Sequence, residues 1–577
     1  MKRSRLLTRL WEFQNQFGFI SDNAISEIAQ KLRVSKIEIE GVISFYHFFH
    51  RQPTGKYIIY LNTSIISEFK NFEHVKVAFE KETGCTFGNY CNNSLFSLFE
   101  TSCIGLSDQE TAALINFYPF TNLTPLKVKS IVNHLKNGKD LREIANNPTS
   151  KIQYTPTKEK TIFFRKYNAG NSLKKLVNET PDTILDSVFN SKLKGHGGAF
   201  FSTGLKWQYC KEHKSKEKYI ICNADEGEPG TFKDKSLLNN LPGLVIEGMV
   251  IAGFITGAKN GIIYLRAEYK YLLGKLKNTI VEFEKNGFLG NQICGIENFN
   301  FKIRVQLGAG AYVCGAETAL IESLEGKRGE PRIRQFFPTE SGYLGYATAV
   351  NNVETFAKAA RVIELGTEVF SKIGTKQSKG TKILSISGDV AKPGIYEIEW
   401  GISVKKLLTL CQATAPYFIQ VSGPSGECIN ESEFDRKICA EDLLCGGSIM
   451  VFNRYRSIIQ IIENFINFFN KESCGACTPC RAGNQILVEK IKKIKQGICT
   501  TKDLKDIKEW GHIISLSSRC GLGQTSSNTF VMALNKFRDY FDLKVMSCDT
   551  NCNVEFDMKT AIYDYDSLIK ETQHQLH

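Results

Sequence analysis

Three cysteines, Cys474, Cys477 and Cys480, stand in C-x2-C-x2-C spacing within ESCGACTPCRAG. Thiolate is the soft ligand that suits iron–sulfur clusters and zinc, and three thiolates at this spacing can wrap one face of a four-iron cube. A bacterial ferredoxin run places another cysteine three residues on, then proline; here Arg481, Ala482 and Gly483 lead to Asn484. The fourth ligand must therefore come from afar, with Cys499 and Cys520 as candidates. Cys520 is preferred, because SSRCGLGQT is a glycine-flanked loop that can approach a cluster closely. Such a cluster moves single electrons, so the chain needs a donor.

Four upstream segments could hold one. LKGHGGAFFSTGLKW (193–207) carries Gly195, Gly197, Gly198 and Gly204, which let backbone approach a phosphate or a planar ring, and Lys206 adds positive charge. It matches neither a Walker loop nor G-x-G-x-x-G, and ordinary turn chemistry is the competing reading. ICNADEGEPGTFKDK (221–235) crowds Asp225, Glu226 and Glu228 just after an expected strand, with Asn223 beside them. LGAGAYVCGAETALIESLEGKRGEPRIRQFFP (307–338) is a second glycine cradle running into a helix that contains Glu317. A helix N-terminus beside glycines is a natural phosphate seat. NNVET (351–355) adds two amides and a threonine hydroxyl.

The elements that must position these residues follow from length and patterning. A chain of 577 residues is too long for one core, so several domains are expected. The expected fold is multidomain α/β. Residues 1–145 read as helices followed by a small α/β domain: Leu6, Leu10 and Phe13 repeat at helical spacing, and YIIYL (57–61) is a buried strand. Residues 146–180, polar and proline-containing, read as a linker. Strands such as KYIICNA alternate with helices over 181–375, giving a layered α/β domain. Residues 380–455 are short and β-rich, 460–540 are mostly helical, and 541–577 form a C-terminal tail.

Composition excludes other classes. The formal charge of +13 comes from dispersed lysines, with no aromatic-interleaved basic stripe, so a solvated surface is expected and no nucleic-acid partner. The most apolar stretch, LPGLVIEGMVIAGFITGA, is broken by Pro242, Glu247 and four glycines and reads as a core helix rather than a membrane span. The basic N-terminus lacks an apolar signal core, so a cytoplasmic protein is expected. Eighteen cysteines then mean reduced thiols and metal sites rather than a disulfide framework.

Taken together and in order, the four segments and the C-terminal cysteines resemble the flavin- and NADH-binding subunit of respiratory complex I and its relatives. The resemblance covers roughly 181–540. The first 145 residues resemble the thioredoxin-like small subunit of the same module, fused in front. With SFYHFFHRQPTGKYIIYLN, TSCIGLSDQE, KPGIYEIEWG, SGPSGEC and SRCGLG, the chain looks most like the large diaphorase subunit of cytoplasmic NAD-reducing [NiFe] hydrogenases. The resemblance implies a thioredoxin-like domain, an FMN domain, a β-grasp-like domain and a helical iron–sulfur domain. It implies FMN, one [4Fe–4S] cluster on Cys474, Cys477, Cys480 and Cys520, and NAD(H) as substrate.

Carried over by position, FMN is held by Gly195, Gly197, Gly198, Lys206, Asn223, Asp225, Glu226, Tyr312, Gly315, Asn351, Asn352 and Thr355. Glu228 and Glu317 tune position and charge at the nicotinamide end; Phe201, Tyr209 and Phe337 stack on adenine; Arg334 meets phosphate or ribose. The implied partners are a small iron–sulfur diaphorase subunit and, through it, hydrogenase subunits, since this chain lacks the paired C-x2-C motifs of a [NiFe] site. The same module serves NAD-linked formate dehydrogenase and complex I, and a non-catalytic scaffold is a further alternative.

Three departures matter. The family loop runs G-R-G-G-A-G-F, whereas His196 and Phe200 stand here for its arginine and a glycine. Ala316 replaces an acidic residue before Glu317, which opens the way to NADPH. In the N-terminal domain the [2Fe–2S] ligand positions fall near Leu61 and Ile66, then on Cys103 and Ser107, with Cys85 and Cys91 off-position. A cluster-free docking scaffold is expected there.

Overall fold

The structure is a computed structural model describing residues 3–90, 95–333 and 335–545. Three sheets organise it. The first has the strand order Phe96–Thr101, Tyr57–Asn62, Ala113–Ile115, Tyr118–Phe120. Its first pair is parallel and the others antiparallel. Helices Phe72–Thr83 and Pro125–Lys136 pack together beside it.

The second sheet is all parallel, in the order Lys302–Leu307, Asn260–Leu265, Lys218–Ala224, Ala347–Asn352. A parallel sheet needs cover on both faces. Helices Pro242–Thr256 and Val353–Leu365 supply one side. Helices Leu6–Phe17, Asp22–Leu32 and Lys36–Ile43 share a core with Ile221, Ile262, Tyr264 and Ile321 on the other. Trp11 Nε1 donates to Gly308 O at 2.9 Å, so the first fifty residues belong physically to the parallel sheet as much as to the small domain.

Helix Pro242–Thr256 starts on its proline, ends at Gly257 and is buried throughout the rest of its length. Its one charge, Glu247, accepts from Tyr167 Oη at 2.7 Å and from the N–H of Gly170 at 2.8 Å, which meets the demand of a buried carboxylate. Among the described residues no single helix is long and apolar enough to cross a membrane.

The third sheet has six strands, in the order Glu427–Ile429, Pro416–Val421, Ser448–Asn453, Thr381–Gly388, Gly394–Glu399, Ile152–Tyr154. The last strand corrects the linker reading of 146–180. Ile152 and Tyr154 pair in parallel with Ile395 and Tyr396, and Ile162 and Phe163 are fully buried. An edge strand leaves one side to solvent, so its sequence stays polar.

Between residues 458 and 545 the chain is mostly helical: Ile458–Glu472, Thr478–Gln496, Thr501–Ser517 and Asn528–Lys536 pack around Phe465, Leu487, Ile491, Ile507 and Phe530. The 541–577 tail lies outside the described residues from 546 onward. Cys85 is disulfide-bonded, an exception to the all-reduced expectation; Cys91 is outside the described residues.

Candidate functional site

The carboxyl ends of the parallel strands converge on one edge, where open α/β sheets bind ligands. Strand Lys218–Ala224 delivers Asn223 to Glu228. The loop after Lys302–Leu307 delivers 308–317, and strand Ala347–Asn352 delivers Asn351 to Thr355. Asn223 Nδ2 donates to Gly315 O at 2.8 Å, and Asn223 Oδ1 accepts from the N–H of Asp225 at 3.1 Å. One amide thus joins two of the four predicted segments. Asp225 Oδ2 is enclosed without a protein partner, and desolvation raises its carboxyl to about 8. An orphaned acceptor facing a cradle fits a hydroxyl-bearing ligand.

The glycine-rich loop closes over this edge as a hairpin. Gly195 N–H donates to Phe201 O at 2.8 Å and Thr203 N–H to Leu193 O at 2.9 Å. Ser202 then caps helix Thr203–Glu212. Gly198 has φ +119°, a value that requires glycine, and no protein atom lies within 4 Å of where a Cβ would sit. Lys206 Nζ reaches Glu317 and donates to Val350 O at 3.0 Å.

Phe200 is half-buried at φ +51°, but its ring turns away from the cradle. It meets Trp400 edge-on at 5.6 Å and packs against the core of the six-stranded sheet.

His196 is buried. Its N–H donates to Thr355 Oγ1 at 2.9 Å, and its Nε2 lies 2.7 Å from Lys358 Nζ. Burial and the neighbouring Lys358 hold its pKa well below the ordinary value. A neutral ring accepting from the ammonium at Nε2 carries its proton on Nδ1, toward Glu354 Oε1 at 3.7 Å.

Several predicted residues are tied into the protein framework around the cradle. Glu226 accepts from the N–H groups of Asp234 at 2.8 Å and Lys235 at 3.1 Å, and from Tyr269 Oη at 2.8 Å, so its carboxylate caps helix Lys233–Asn240 from the core. Asn351 accepts from Trp207 Nε1 at 2.8 Å, and Thr355 is fully buried beneath the loop. Crowding of polar residues in sequence does not say which protein groups each side chain meets. Asn352 caps helix Val353–Leu365 and accepts from Lys233 Nζ at 3.2 Å.

Glu228 is joined by Tyr312, which the resemblance assigns to the flavin, and by Ser425, which sequence reading left without a role. Ser425 N–H donates to its Oε1 at 2.9 Å, and Tyr312 Oη donates to its Oε2. Gly423, at φ +68°, passes so close that a Cβ would lie 2.5 Å from the Glu228 carboxylate. SGPSGEC thus folds over Glu228. Desolvation lifts this carboxyl to about 7, against the opposing hydrogen bonds of Tyr312 and Ser425.

Phe201, Tyr209 and Phe337 are 45%, 49% and 68% exposed, which suits ligand stacking better than core packing. Tyr209 and Phe337 lie on the packed helices Thr203–Glu212 and Pro338–Ser341 or at their ends. Arg334 lies outside the described residues.

The four cysteines meet. Cys474, Cys477, Cys480 and Cys520 line one cavity with Ser473, Arg519, Leu522 and Val313. Cys477 precedes helix Thr478–Gln496, Cys480 sits in its first turn, and Cys520 precedes helix Gly521–Thr525. Cys480 Sγ receives Asn484 Nδ2 at 3.4 Å. Cys499 is buried elsewhere, in the helical core. Among the described residues no three His, Cys, Asp or Glu side chains converge on a single metal ion. Four thiols ringing a shared space, rather than a point, suit a cube of iron and sulfide. Tyr312 and Val313 are adjacent, so one peptide separates the Glu228 side of the cradle from the cysteine cavity.

In the N-terminal domain, Leu61 lies in the small sheet's core and Ile66 against the C-terminal helices. Cys103 Sγ is 3.5 Å from Ser107 Oγ. Leucine and isoleucine offer no ligand atom.

Comparison with known proteins agrees with this division. Residues 188–361 match the family model of the Nuo51 FMN-binding domain, and 1–136 that of the thioredoxin-like [2Fe-2S] ferredoxin. Residues 460–544 match the NADH-ubiquinone oxidoreductase-F iron-sulfur binding region. The chain is 43% identical to the NAD-reducing hydrogenase HoxS subunit alpha of Cupriavidus necator, across 99% of this chain and 97% of that protein. It is 39% identical to the NADP-reducing hydrogenase subunit HndC of Solidesulfovibrio fructosivorans, across 65% of this chain and 78% of that one. The crystal structure of an NAD+-reducing [NiFe]-hydrogenase in the H2-reduced state superimposes with a TM-score of 0.89 at 33% identity, covering 95% of this chain and 94% of that one.

Proposed function

Because this chain belongs to the family of the NAD-reducing hydrogenase HoxS alpha subunits, we propose that it is the diaphorase subunit of such an enzyme, exchanging electrons between NAD(H) and FMN and relaying them through a [4Fe–4S] cluster. The observation that carries this reading is the Tyr312–Val313 step, which puts the flavin-type cradle and the four-cysteine cavity on two sides of one peptide. FMN, when bound, supplies the conversion between two-electron hydride exchange and single-electron transfer.

The chain's residues bind and orient. The N–H groups of the 195–198 loop and Lys206 meet the anionic end of the cofactor; Asn223, Asp225, Gly315 and Asn352 shape its cradle. Asp225, neutral near pH 7, can donate as well as accept. Glu228 and Glu317 face the nicotinamide end, and Phe201, Tyr209 and Phe337 offer stacking surfaces for adenine. Cys474, Cys477, Cys480 and Cys520 hold the cluster. The six-stranded sheet is read as β-grasp-like, and the ligand-poor thioredoxin-like domain as a docking scaffold. A small iron–sulfur diaphorase subunit is the proposed next carrier, hydrogenase subunits stand beyond it, and the cytoplasm is the proposed location.

The test is anaerobic addition of NADH to the purified complex. Bleaching of the flavin band with a reduced-cluster electron paramagnetic resonance signal is expected. Cluster absorption with no flavin and no response to NADH would overturn the reading in favour of a scaffold subunit.

A further inference from the structure

Both side chains that break the family's G-R-G-G-A-G-F pattern end on the same residue. Phe200 meets the Trp400 indole edge-on at 5.6 Å, and the His196 ring lies nearly parallel to it at 5.9 Å and 23°. Trp400 follows strand Gly394–Glu399 of the six-stranded sheet, is 3% exposed, and sits among Ile398, Val404 and Ile438. It belongs to the core of the six-stranded sheet's domain, not to the four-stranded parallel sheet. On the other side of the loop, Lys194 Nζ lies 4.9 Å from the Phe200 ring centroid. Lys358 pins the far edge of His196 at 2.7 Å.

This arrangement explains how a phenylalanine holds φ +51° at a glycine position. A left-handed conformation is costly for any residue with a Cβ and persists where surrounding contacts over-determine it. Trp400 supplies those contacts. Gly197, Gly198 and Ala199, between the two anchored side chains, remain exposed toward the cradle.

We propose that Trp400 is a positioning residue for FMN: through Phe200 and His196, the six-stranded domain holds the glycine-rich loop in its cofactor-binding shape. The proposal rests on the FMN reading above. Loop order that is established before binding lowers the entropic cost of binding. An aromatic contact of this kind corresponds to roughly three- to tenfold in a dissociation constant.

The test is FMN titration of the full chain after flavin removal, followed by flavin fluorescence quenching, with melting temperature and iron content measured in parallel. Trp400→Ala is expected to raise the FMN Kd roughly three- to tenfold, and Trp400→Phe to restore most of the affinity. Phe200→Gly with Trp400→Ala is expected to cost less than the two single changes combined, because they remove one shared contact. If Trp400→Ala does not fold, the same cycle is read with Trp400→Leu, which fills the apolar core around it without an aromatic ring. A Kd unchanged within about twofold, or effects of Trp400 and Phe200 that simply add, overturns the proposal. Wild-type chain that binds no FMN overturns the functional reading and this inference together; wild-type binding with indifferent Trp400 variants overturns the inference alone.

Discussion

The carboxylate of Glu472 accepts the backbone N–H of Tyr312 at 3.0 Å, and its other oxygen accepts from Ser102 Oγ at 3.1 Å. One side chain thereby ties the C-terminal helices to the flavin-type domain and to the thioredoxin-like domain, two residues before Cys474. The same Tyr312 reaches Glu228 with its hydroxyl and packs edge-on against Phe468 at 4.9 Å. The cluster side is therefore held against the cradle by a few directional contacts, and their removal should be measurable.

Glu472→Ala removes two hydrogen bonds to a charged acceptor and leaves the Tyr312 N–H short of its partner. A loss of about 2–4 kcal/mol in unfolding free energy is expected, with Glu472→Gln recovering part of it. Denaturant unfolding followed by tryptophan fluorescence reads the difference. An alanine variant as stable as wild type would show that the three-way tie contributes nothing.

The cysteine cavity separates two candidates that spacing alone leaves open. Cys520→Ala, like Cys474→Ala, Cys477→Ala or Cys480→Ala, removes a lining thiol and is expected to abolish stable four-iron incorporation. Cys499→Ala alters a residue of the helical core and should leave about four irons per chain. Iron and sulfide analysis of the anaerobically purified variants decides between them; iron loss in Cys499→Ala with retention in Cys520→Ala would reverse the assignment.

What the sequence could and could not say follows from how each feature is encoded. The C-x2-C-x2-C run is local, so its chemistry is readable without a fold. The glycine and acidic segments are readable because strand ends and glycine turns have local signatures. Glu226 is different: beside Asp225 and Glu228 it has the same sequence context, yet its carboxylate turns inward to Asp234, Lys235 and Tyr269. Only the tertiary position of helix Lys233–Asn240 decides that. The edge strand Ile152–Tyr154 was hidden for a related reason, since three residues against an edge need no apolar alternation. Trp400 and Glu472 had no signal of their own; they matter through partners two hundred and one hundred sixty positions away or nearly so.

Glu228 gives a pH prediction. Its carboxyl is raised from 4.5 to about 7 in the folded chain, so the folded state holds the proton more tightly than the unfolded state. The stabilisation this brings is complete below about pH 4.5 and is lost as pH rises through about 7. Glu228→Gln keeps the shape without the titration. In FMN-free protein, the melting temperature of the variant relative to wild type is expected to rise between about pH 5.5 and about pH 8. A difference that stays flat across that window would place the Glu228 titration elsewhere. Asp225, raised to about 8 by desolvation, acts in the same direction, so the comparison is made within one Asp225 background.

Gly423 tests the same contact from the other side. At φ +68° an alanine is strained by about 1–2 kcal/mol, and its Cβ would also press on the Glu228 carboxylate. Gly423→Ala is expected to lower stability by at least that amount and to raise the KM for NADH more than Ser432→Ala, a change on an exposed turn of the same domain. Steady-state kinetics with equal flavin content per chain reads the effect; an unchanged KM would separate the 422–428 loop from the nicotinamide end.

Ala316 bears on cofactor choice. It precedes helix Glu317–Leu324, and Glu317, the only carboxylate in that first turn, is already paired with Lys206. A 2′-phosphate brought to this edge therefore meets less negative charge than it would beside two free carboxylates. Discrimination of this kind works by placing an unfavourable charge against the wrong ligand rather than by adding contacts to the right one. The expected outcome is a wild-type preference for NADH over NADPH below roughly 10³ in kcat/KM, and an increase of roughly tenfold or more in Ala316→Glu. The KM for NADPH should carry most of that change, since the added carboxylate repels the phosphate in the ground state and the transition state alike. A wild-type ratio already above roughly 10³ would mean that other groups reject the phosphate, and that the pairing of Glu317 with Lys206 opens when dinucleotide binds.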